Sequence, residues 1–395
     1  MMHKFLFSLL LSVSLLLNSC GSNSHSDGNS QVFTLQEKEF LHRLFLTEYL
    51  WYYRVASHVD YAQFSIPQEM INTLRVNPPD KWSFTMTSQQ YEDFVNQRTT
   101  GFGFGYTQDL QIFLVRIGAP AYGKLQRGDQ IMQINGQEAS TSLLREASQN
   151  LNAAATFTVL RNGSMVDVTV TPREYSFKVS LGKIILQGSK KVGYLRYDAF
   201  TESSVAEFET IFTTFHNENI DELVIDLRYN GGGSLAVASS LIDNITNAYA
   251  GQRQMYLDWN ANYKNRNANY TFEDADLQDG NELAMQRVLF LVTKDSASAS
   301  EAVINALKPY LGDANVITVG EETHGKPVGM TGRTYGQNYY FLINFFVKNN
   351  ADETTSFDGI PVTCTAEDDI GHIMGDKNET MLSAALYYIQ NNGCP

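Results

Sequence analysis

The sequence predicts an α/β protein made of an N-terminal helical segment, a small β-rich module and a larger core. Three observations predict it. From residue 174 onward, short apolar runs rich in β-branched residues alternate with segments of helical spacing, the pattern of a sheet covered on both faces. Residues 99–173 instead carry closely spaced glycines, short strands and an Asn162-Gly163 hairpin signal. Residues 31–98 repeat apolar side chains at intervals that keep them on one helix face. The 395 residues suffice for two or three domains, and 43% hydrophobic content supplies a large core.

The first twenty residues read as an export leader. Lys4 precedes an apolar run from Phe5 to Leu17, of signal-peptide length and short for a membrane span. It ends in Leu17-Asn18-Ser19-Cys20-Gly21, which resembles a bacterial lipobox with Cys20 as the acylated residue. Residues 21–30, rich in Ser, Asn, Gly and Asp, read as a flexible tether. The expected location is therefore exported and lipid-anchored. By resemblance to Gram-negative lipoproteins, Gly21 points to the outer membrane, facing the periplasm. With Cys20 acylated, Cys364 and Cys394 remain, and two cysteines in an exported protein can pair. Such a bond would staple the C-terminal tail to the body. No CxxC or Cys/His cluster is present, so neither a metal site nor a metal cofactor is expected. A net charge of −14 excludes nucleic acid as a partner and leaves the lipid anchor as the only membrane contact.

In residues 31–98, Phe33, Leu35, Phe40, Leu41, Leu44, Phe45, Tyr49, Leu50 and Tyr53 form the helical stripe, and Pro78-Pro79-Asp80 breaks it. These aromatics read as packed core, with no chemistry assigned. The next segment contains Gly101-Phe102-Gly103-Phe104, then Leu125-Gln126-Arg127-Gly128-Asp129-Gln130-Ile131 and Ile134-Asn135-Gly136. In that order these motifs resemble a PDZ domain over residues 99–173. The resemblance makes Gly101, Phe102, Gly103 and Phe104 the loop that binds a peptide's terminal carboxylate through backbone N–H groups. The phenylalanines would line an apolar pocket for the last side chain.

Residues 174–395 form the expected core. Val192–Arg196, Leu223–Leu227, Val288–Thr293 and Val316–Val319 read as buried strands, Ser203–Phe215 and Ser298–Leu311 as helices. Residues 250–285 show little periodicity and read as an insertion. Three glycine- or serine-rich turns follow three of the strands, where open α/β sheets place their sites. Asp226-Leu227-Arg228-Tyr229-Asn230-Gly231-Gly232-Gly233 allows close backbone approach. Asp295-Ser296-Ala297-Ser298-Ala299-Ser300-Glu301 opens a helix; taken alone it reads as a capping box, although a serine at a helix N-terminus is also well placed for acyl chemistry. Gly320-Glu321-Glu322-Thr323-His324-Gly325-Lys326-Pro327 mimics a P-loop but fails at Pro327, which lacks the hydroxyl and the N–H that nucleotide binding needs. No nucleotide is therefore expected. A buried lysine beside a serine instead makes the Ser–Lys form of nucleophilic catalysis. His324 and His372 read as ordinary surface histidines.

Together, Asp-Leu-Arg-x-Asn-x-Gly-Gly at 226–233, Ser-Ala-Ser-Ala-Ser-Glu at 296–301 and Gly-Lys at 325–326, downstream of the PDZ-like segment, resemble the C-terminal processing (tail-specific) serine peptidases. The resemblance implies a crotonase-like ββα core with an inserted PDZ domain. It implies Ser298 as nucleophile, Lys326 as base, and Ala299 and Gly232 amides as the oxyanion hole. It also implies a serine endopeptidase whose protein or peptide substrates are recognised by apolar C-termini, with no cofactor. Two departures stand out. Met330 occupies a position where many members carry a glutamine that orients the lysine, and Lys308-Pro309 stands where some carry an acidic residue. The competing expectation is a PDZ lipoprotein on a degenerate peptidase scaffold, binding protein C-termini without cutting them.

Overall fold

The Thr34 hydroxyl accepts the Glu37 N–H at 3.2 Å and starts α1 (Leu35–Thr47). The structure, a computed structural model, describes residues 32–273 and 280–395. The expected leader 1–20 with Cys20, and the tether 21–30, lie outside the described residues. Helix α1 turns Leu41, Leu44 and Phe45 toward α2 (Pro67–Leu74), and the two close over Tyr49, Trp51 and Trp82. The helical reading of residues 31–98 is incomplete. After the cluster comes a strand, β1 (Phe84–Thr87), and then α3 (Ser88–Val95). Phe84-Thr85-Met86-Thr87 does alternate apolar and polar residues, a short strand signal that the helical reading passed over.

Strand β2 (Arg98–Gly101) leads into the small module. It contains β3 (Phe104–Tyr106), β4 (Ile112–Val115), β5 (Gln130–Ile134), β6 (Gln137–Glu138), α4 (Thr141–Gln149), β7 (Ala155–Arg161) and β8 (Ser164–Val170), and β9 (Arg173–Ser176) leads out. Strands β2 and β9 pair antiparallel, Thr99 opposite Tyr175, so the module hangs on a two-stranded stem. Its larger sheet runs β6-β5-β7-β8 over a core that includes Phe102, Ile112, Leu125, Ile131 and Phe157. Asn162 and Gly163 join β7 to β8 with φ of 49° and 78°, the left-handed pair a two-residue hairpin needs.

The core continues with β10 (Ser180–Gln187), β11 (Lys190–Tyr197), α5 (Val205–Asn217), β12 (Glu222–Asp226), α6 (Leu235–Ile245), β13 (Arg253–Trp259), β14 (Ala268–Thr271), β15 (Val288–Val292), α7 (Ala299–Leu311), β16 (Val316–Gly320), β17 (Val328–Tyr335), β18 (Asn338–Lys348), β19 (Cys364–Thr365) and α8 (Thr380–Asn391). Six strands form one sheet, ordered β10-β11-β12-β15-β16-β19 and antiparallel only between β10 and β11. Its central strands are covered on both faces. Leu223, Ile225, Val288 and Phe290 pack with α5, α6 and α7. Val224, Leu289 and Leu291 pack with α8. Two-sided burial is why these strands read as unbroken apolar runs.

A second sheet, β1-β18-β13-β14 with β17 also on β18, stands beside the first. The stretch read as an unpatterned insertion supplies β13 and β14, with Leu257 opposite Val347 of β18. Burial along β13 does not alternate, so the sequence carries no strand period there. A disulfide joins Cys364 of edge strand β19 to Cys394 after α8, with Cα atoms 5.5 Å apart.

Candidate active site

Three adjacent parallel strands, β12, β15 and β16, open their loops at one end of the sheet. The loop after β15 carries three serines, and the structure separates them. Ser296 Oγ accepts the Thr293 N–H at 3.0 Å and donates to Leu227 O at 2.8 Å. Ser300 Oγ donates to Asn230 O at 2.8 Å. Both are fully buried and stitch this loop to the one after β12. Ser298 is partly exposed, and its hydroxyl makes no capping bond. Its backbone sits at φ 59°, ψ −111°, a conformation that costs a residue with a side chain about 1–3 kcal/mol. The capping box suggested by the sequence forms on one side only. Glu301 accepts the Ser298 N–H at 2.9 Å while the Ser298 hydroxyl stays out of it.

Gly232 lies directly against this elbow at φ 106°. A Cβ there would stand 2.8 Å from Ser298 Cβ and 2.9 Å from Ala297 O, so only glycine permits the approach. Its N–H donates to Asn230 Oδ1 at 2.9 Å. The Ala299 N–H opens α7 beside Ser298, one of the first-turn amides that lack an intrahelical acceptor and carry the positive end of the helix.

Lys326 ends the loop after β16. Its N–H donates to Glu301 Oε2 at 2.9 Å. The Gly325 N–H and the Thr323 hydroxyl donate to Glu301 Oε1 at 2.7 and 2.6 Å. Glu301 is fully buried; burial pushes its carboxyl pKa up, and the four donors pull it back. The Lys326 residue keeps partial exposure to a cavity, yet burial dominates at its amine. The amine pKa falls from 10.5 to about 8, against the opposing pull of Asp80 and Glu301. Among the described residues, neither the Ser298 hydroxyl nor the Lys326 amine engages a hydrogen-bond partner.

Asp80 was read in the sequence only as part of a helix break. Its buried carboxylate accepts Tyr49 Oη at 2.8 Å, Ser83 Oγ at 2.6 Å, and the Trp82 and Ser83 N–H groups at 2.8 and 2.9 Å. No local signal marks it, because it meets Lys326 only through folding of the N-terminal segment onto the core. His324 also departs from its surface reading. Trp82 Nε1 donates to His324 Nε2 at 3.1 Å, so that nitrogen is bare and the proton sits on Nδ1, 3.1 Å from Lys294 O. Burial, with Lys81 and Lys326 nearby, lowers its pKa to about 4. Neutral and bonded at both nitrogens, it has no free lone pair for Ser298. His372 is exposed and pairs with Asp369 at 2.6 Å.

Ser298, Lys326, the Gly231–Gly233 turn and Met330 line one cavity of about 510 Å³. Its walls are largely apolar: Phe84 and Tyr91 from the N-terminal segment, Leu114 from the module, Leu257 and Trp259 from β13, Phe345 from β18. Gly101, Phe102, Gly103 and Phe104 do not line it. Phe102 and Phe104 stack edge-on against Phe157 within the module, at 4.9 and 5.8 Å between ring centroids. Phe102 is 3% exposed and Phe104 half-buried. The module nevertheless reaches the site through ions. Arg127 bonds Phe113 O, Tyr229 Oη, Asp368 and His372 O. Arg228 beside it pairs with Asp226, Asp368 and Glu379.

Residues 191–362 match the family model described as peptidase family S41. Residues 191–362 are thus a peptidase family S41 domain. The S41 match runs from β11 to just before β19, taking in all three loops. The carboxyl-terminal-processing protease of Picosynechococcus sp. (strain ATCC 27264 / PCC 7002 / PR-6) is 27% identical over 235 residues, 55% of this chain and 50% of that one. A CtpA-like serine protease of Staphylococcus aureus (strain COL) is 26% identical over 268 residues, 65% of this chain and 51% of that one. The chain spans about half the length of the curated relatives it matches. The crystal structure of an S41 protease from Bacteroides fragilis NCTC 9343 matches with a TM-score of 0.79 at 25% identity, over 89% of this chain and 97% of that one. The mixed α/β fold is that of S41 proteases.

Proposed function

We propose that the protein is a serine endopeptidase with Ser298 as nucleophile and Lys326 as general base. The observation that carries this reading is the asymmetry among the three serines. Ser296 and Ser300 are committed to carbonyls, while Ser298 presents a free hydroxyl on a strained elbow to a cavity that also holds a desolvated amine. Neutral Lys326 takes the Oγ proton as Oγ attacks the scissile carbonyl. The proton passes to the departing amine, and water then hydrolyses the acyl-ester and restores Ser298. Ala299 N–H and the Gly232 turn serve the oxyanion, with Gly232 N–H leaving Asn230 Oδ1 to do so. Catalytic hydrogen bonds are often unformed without substrate, so an unbonded Lys326 amine suits a resting enzyme.

The apolar cavity walls suit an extended, unfolded protein segment. On this reading residues 99–173 are a PDZ domain that takes apolar C-termini at Gly101, Phe102, Gly103 and Phe104, inserted before a crotonase-like core over 174–395. The leader 1–20 would place the enzyme, lipid-anchored at Cys20, on the outer membrane facing the periplasm.

An acylating fluorophosphonate probe tests the reading. Wild type should be labelled and should cut an unfolded protein with an apolar tail; Ser298→Ala should do neither. A wild type that binds apolar tails but resists both labelling and turnover would make the protein a tail-binding module instead.

A further inference from the structure

We infer that Glu301 is a positioning residue for this reaction: its buried carboxylate ties the Ser298 backbone to the Lys326 backbone and sets hydroxyl and amine on one cavity wall. The inference rests on the Ser298–Lys326 reading above. A helix cap needs one bond from this glutamate, to the Ser298 N–H. The other three go to a different element, the loop after β16. Their division between the two oxygens is informative. Oε1 takes Thr323 Oγ1 and the Gly325 N–H, while Oε2 takes the Ser298 and Lys326 N–H groups, each at 2.9 Å. One oxygen atom therefore holds both residues, and their nitrogens can stand no further apart than twice that distance.

The carboxylate is ionised, because every partner donates to it. Thr323 Oγ1 itself accepts the Ile360 N–H at 2.7 Å, which leaves its own proton for Glu301. Among the described residues no salt bridge reaches Glu301, and the Lys81 and Lys326 amines interact with its charge only through space. A buried charge with no salt bridge is expensive, and a neutral cap such as Gln would satisfy a helix end alone. The geometry assigns the charge to clamping four donors from two elements.

The charge also bears on the amine. Lys326 is faced by the carboxylates of Glu301 from α7 and Asp80 from the N-terminal segment. His324 on its own loop is neutral, and Lys81 acts on that ring and on Glu301. Removing one of the two carboxylates makes the ammonium easier to deprotonate.

Glu301→Gln keeps the shape, but its amide nitrogen must face donors. Expected are a fall of about 100-fold in acylation rate, the scale of loss from a misplaced reacting group, little change in KM, and an acid limb of the pH–rate profile displaced to lower pH. A folded Glu301→Gln protein with wild-type rate overturns the inference, as does a slower one whose acid limb is unmoved, since a purely structural cap would not touch that limb. Should Glu301→Gln fail to fold, Thr323→Val removes one of the four donors and no charge. A loss of about tenfold is expected from one hydrogen bond to a charged group, and an unchanged rate overturns the clamp. Wild type that the probe does not label sinks the Ser298–Lys326 reading itself, an outcome distinct from all of these.

Discussion

Replacing Lys326 with methionine should remove the proposed base and, at the same time, stabilise the fold. Methionine keeps the length of the stem and meets the apolar cavity lining, which already includes Val328 and Met330. The amine's pKa falls from 10.5 to about 8, chiefly because burial disfavours the ammonium. At 1.36 kcal/mol for each pKa unit, the charged amine costs the folded state about 3 kcal/mol. That cost is fully present below pH 8, where folded and unfolded chains are both protonated. Between pH 8 and 10.5 the folded chain has released the proton and the unfolded chain still binds it, so wild-type stability rises with pH. Urea denaturation of wild type and Lys326→Met across that range measures the difference, in which all other titrating groups cancel. The methionine variant should be more stable by about 3 kcal/mol below pH 8, with the gap closing toward pH 10.5. A variant no more stable than wild type below pH 8, or a gap that does not narrow, refutes a desolvated amine and with it the neutral base.

Further outcomes follow from the same geometry. Acylation by a probe should rise with pH through a half-maximum near pH 8, where the Lys326 amine loses its proton; a profile flat across that range would assign the proton to another group. Gly232→Ala drives a Cβ within 2.8 Å of Ser298 Cβ and should cost about 100-fold or more in acylation, while the apolar-tail binding proposed for residues 99–173, measured by calorimetry, should match that of wild type. Labelling at the wild-type rate would remove that turn from the site. Cys364→Ser opens a loop whose ends lie 30 residues apart. On chain-entropy grounds it should cost about 3–4 kcal/mol, read as a lower denaturation midpoint under oxidising conditions; an unshifted midpoint would show that the tail is held by packing alone.

The elements legible in the sequence are those whose environment repeats along the chain. The centres of β11, β12, β15 and β16 are apolar because helices cover both sheet faces, and the loops after β12, β15 and β16 carry short local motifs of Gly, Ser and Lys. Elements with mixed environments left no period to read. β13 buries its residues without alternation, with Leu257 and Trp259 on the cavity, and β14 is mostly exposed. The site divides in the same way. Ser298 and Lys326 sit in local motifs, but what distinguishes Ser298 from Ser296 and Ser300 is a pair of carbonyls, Leu227 and Asn230, some 69 and 70 residues upstream. The Trp82 bond that fixes the His324 tautomer spans 242 residues.

Met330 shows why the distinction between local and distant contacts matters chemically. A thioether offers the Lys326 amine no useful hydrogen bond, and the amine has no other partner among the described residues. Judged by side chains alone, the base is unsupported. Its backbone is not: Glu301 Oε2 accepts the Lys326 N–H and the Ser298 N–H at the same 2.9 Å, and Asp80 adds charge from a third element. A lysine held at its main chain and left free at its tip can turn its amine toward the serine hydroxyl when substrate fills the cavity, without first breaking a bond to an orienting side chain. The cost falls on precision, because the stem keeps its rotamers. Met330→Gln, which puts a hydrogen-bonding side chain into the lining of the cavity that holds the amine, should therefore raise the acylation rate with little change in stability. If it lowers the rate instead, the free tip is part of how this site works, and the backbone clamp is sufficient support for the base.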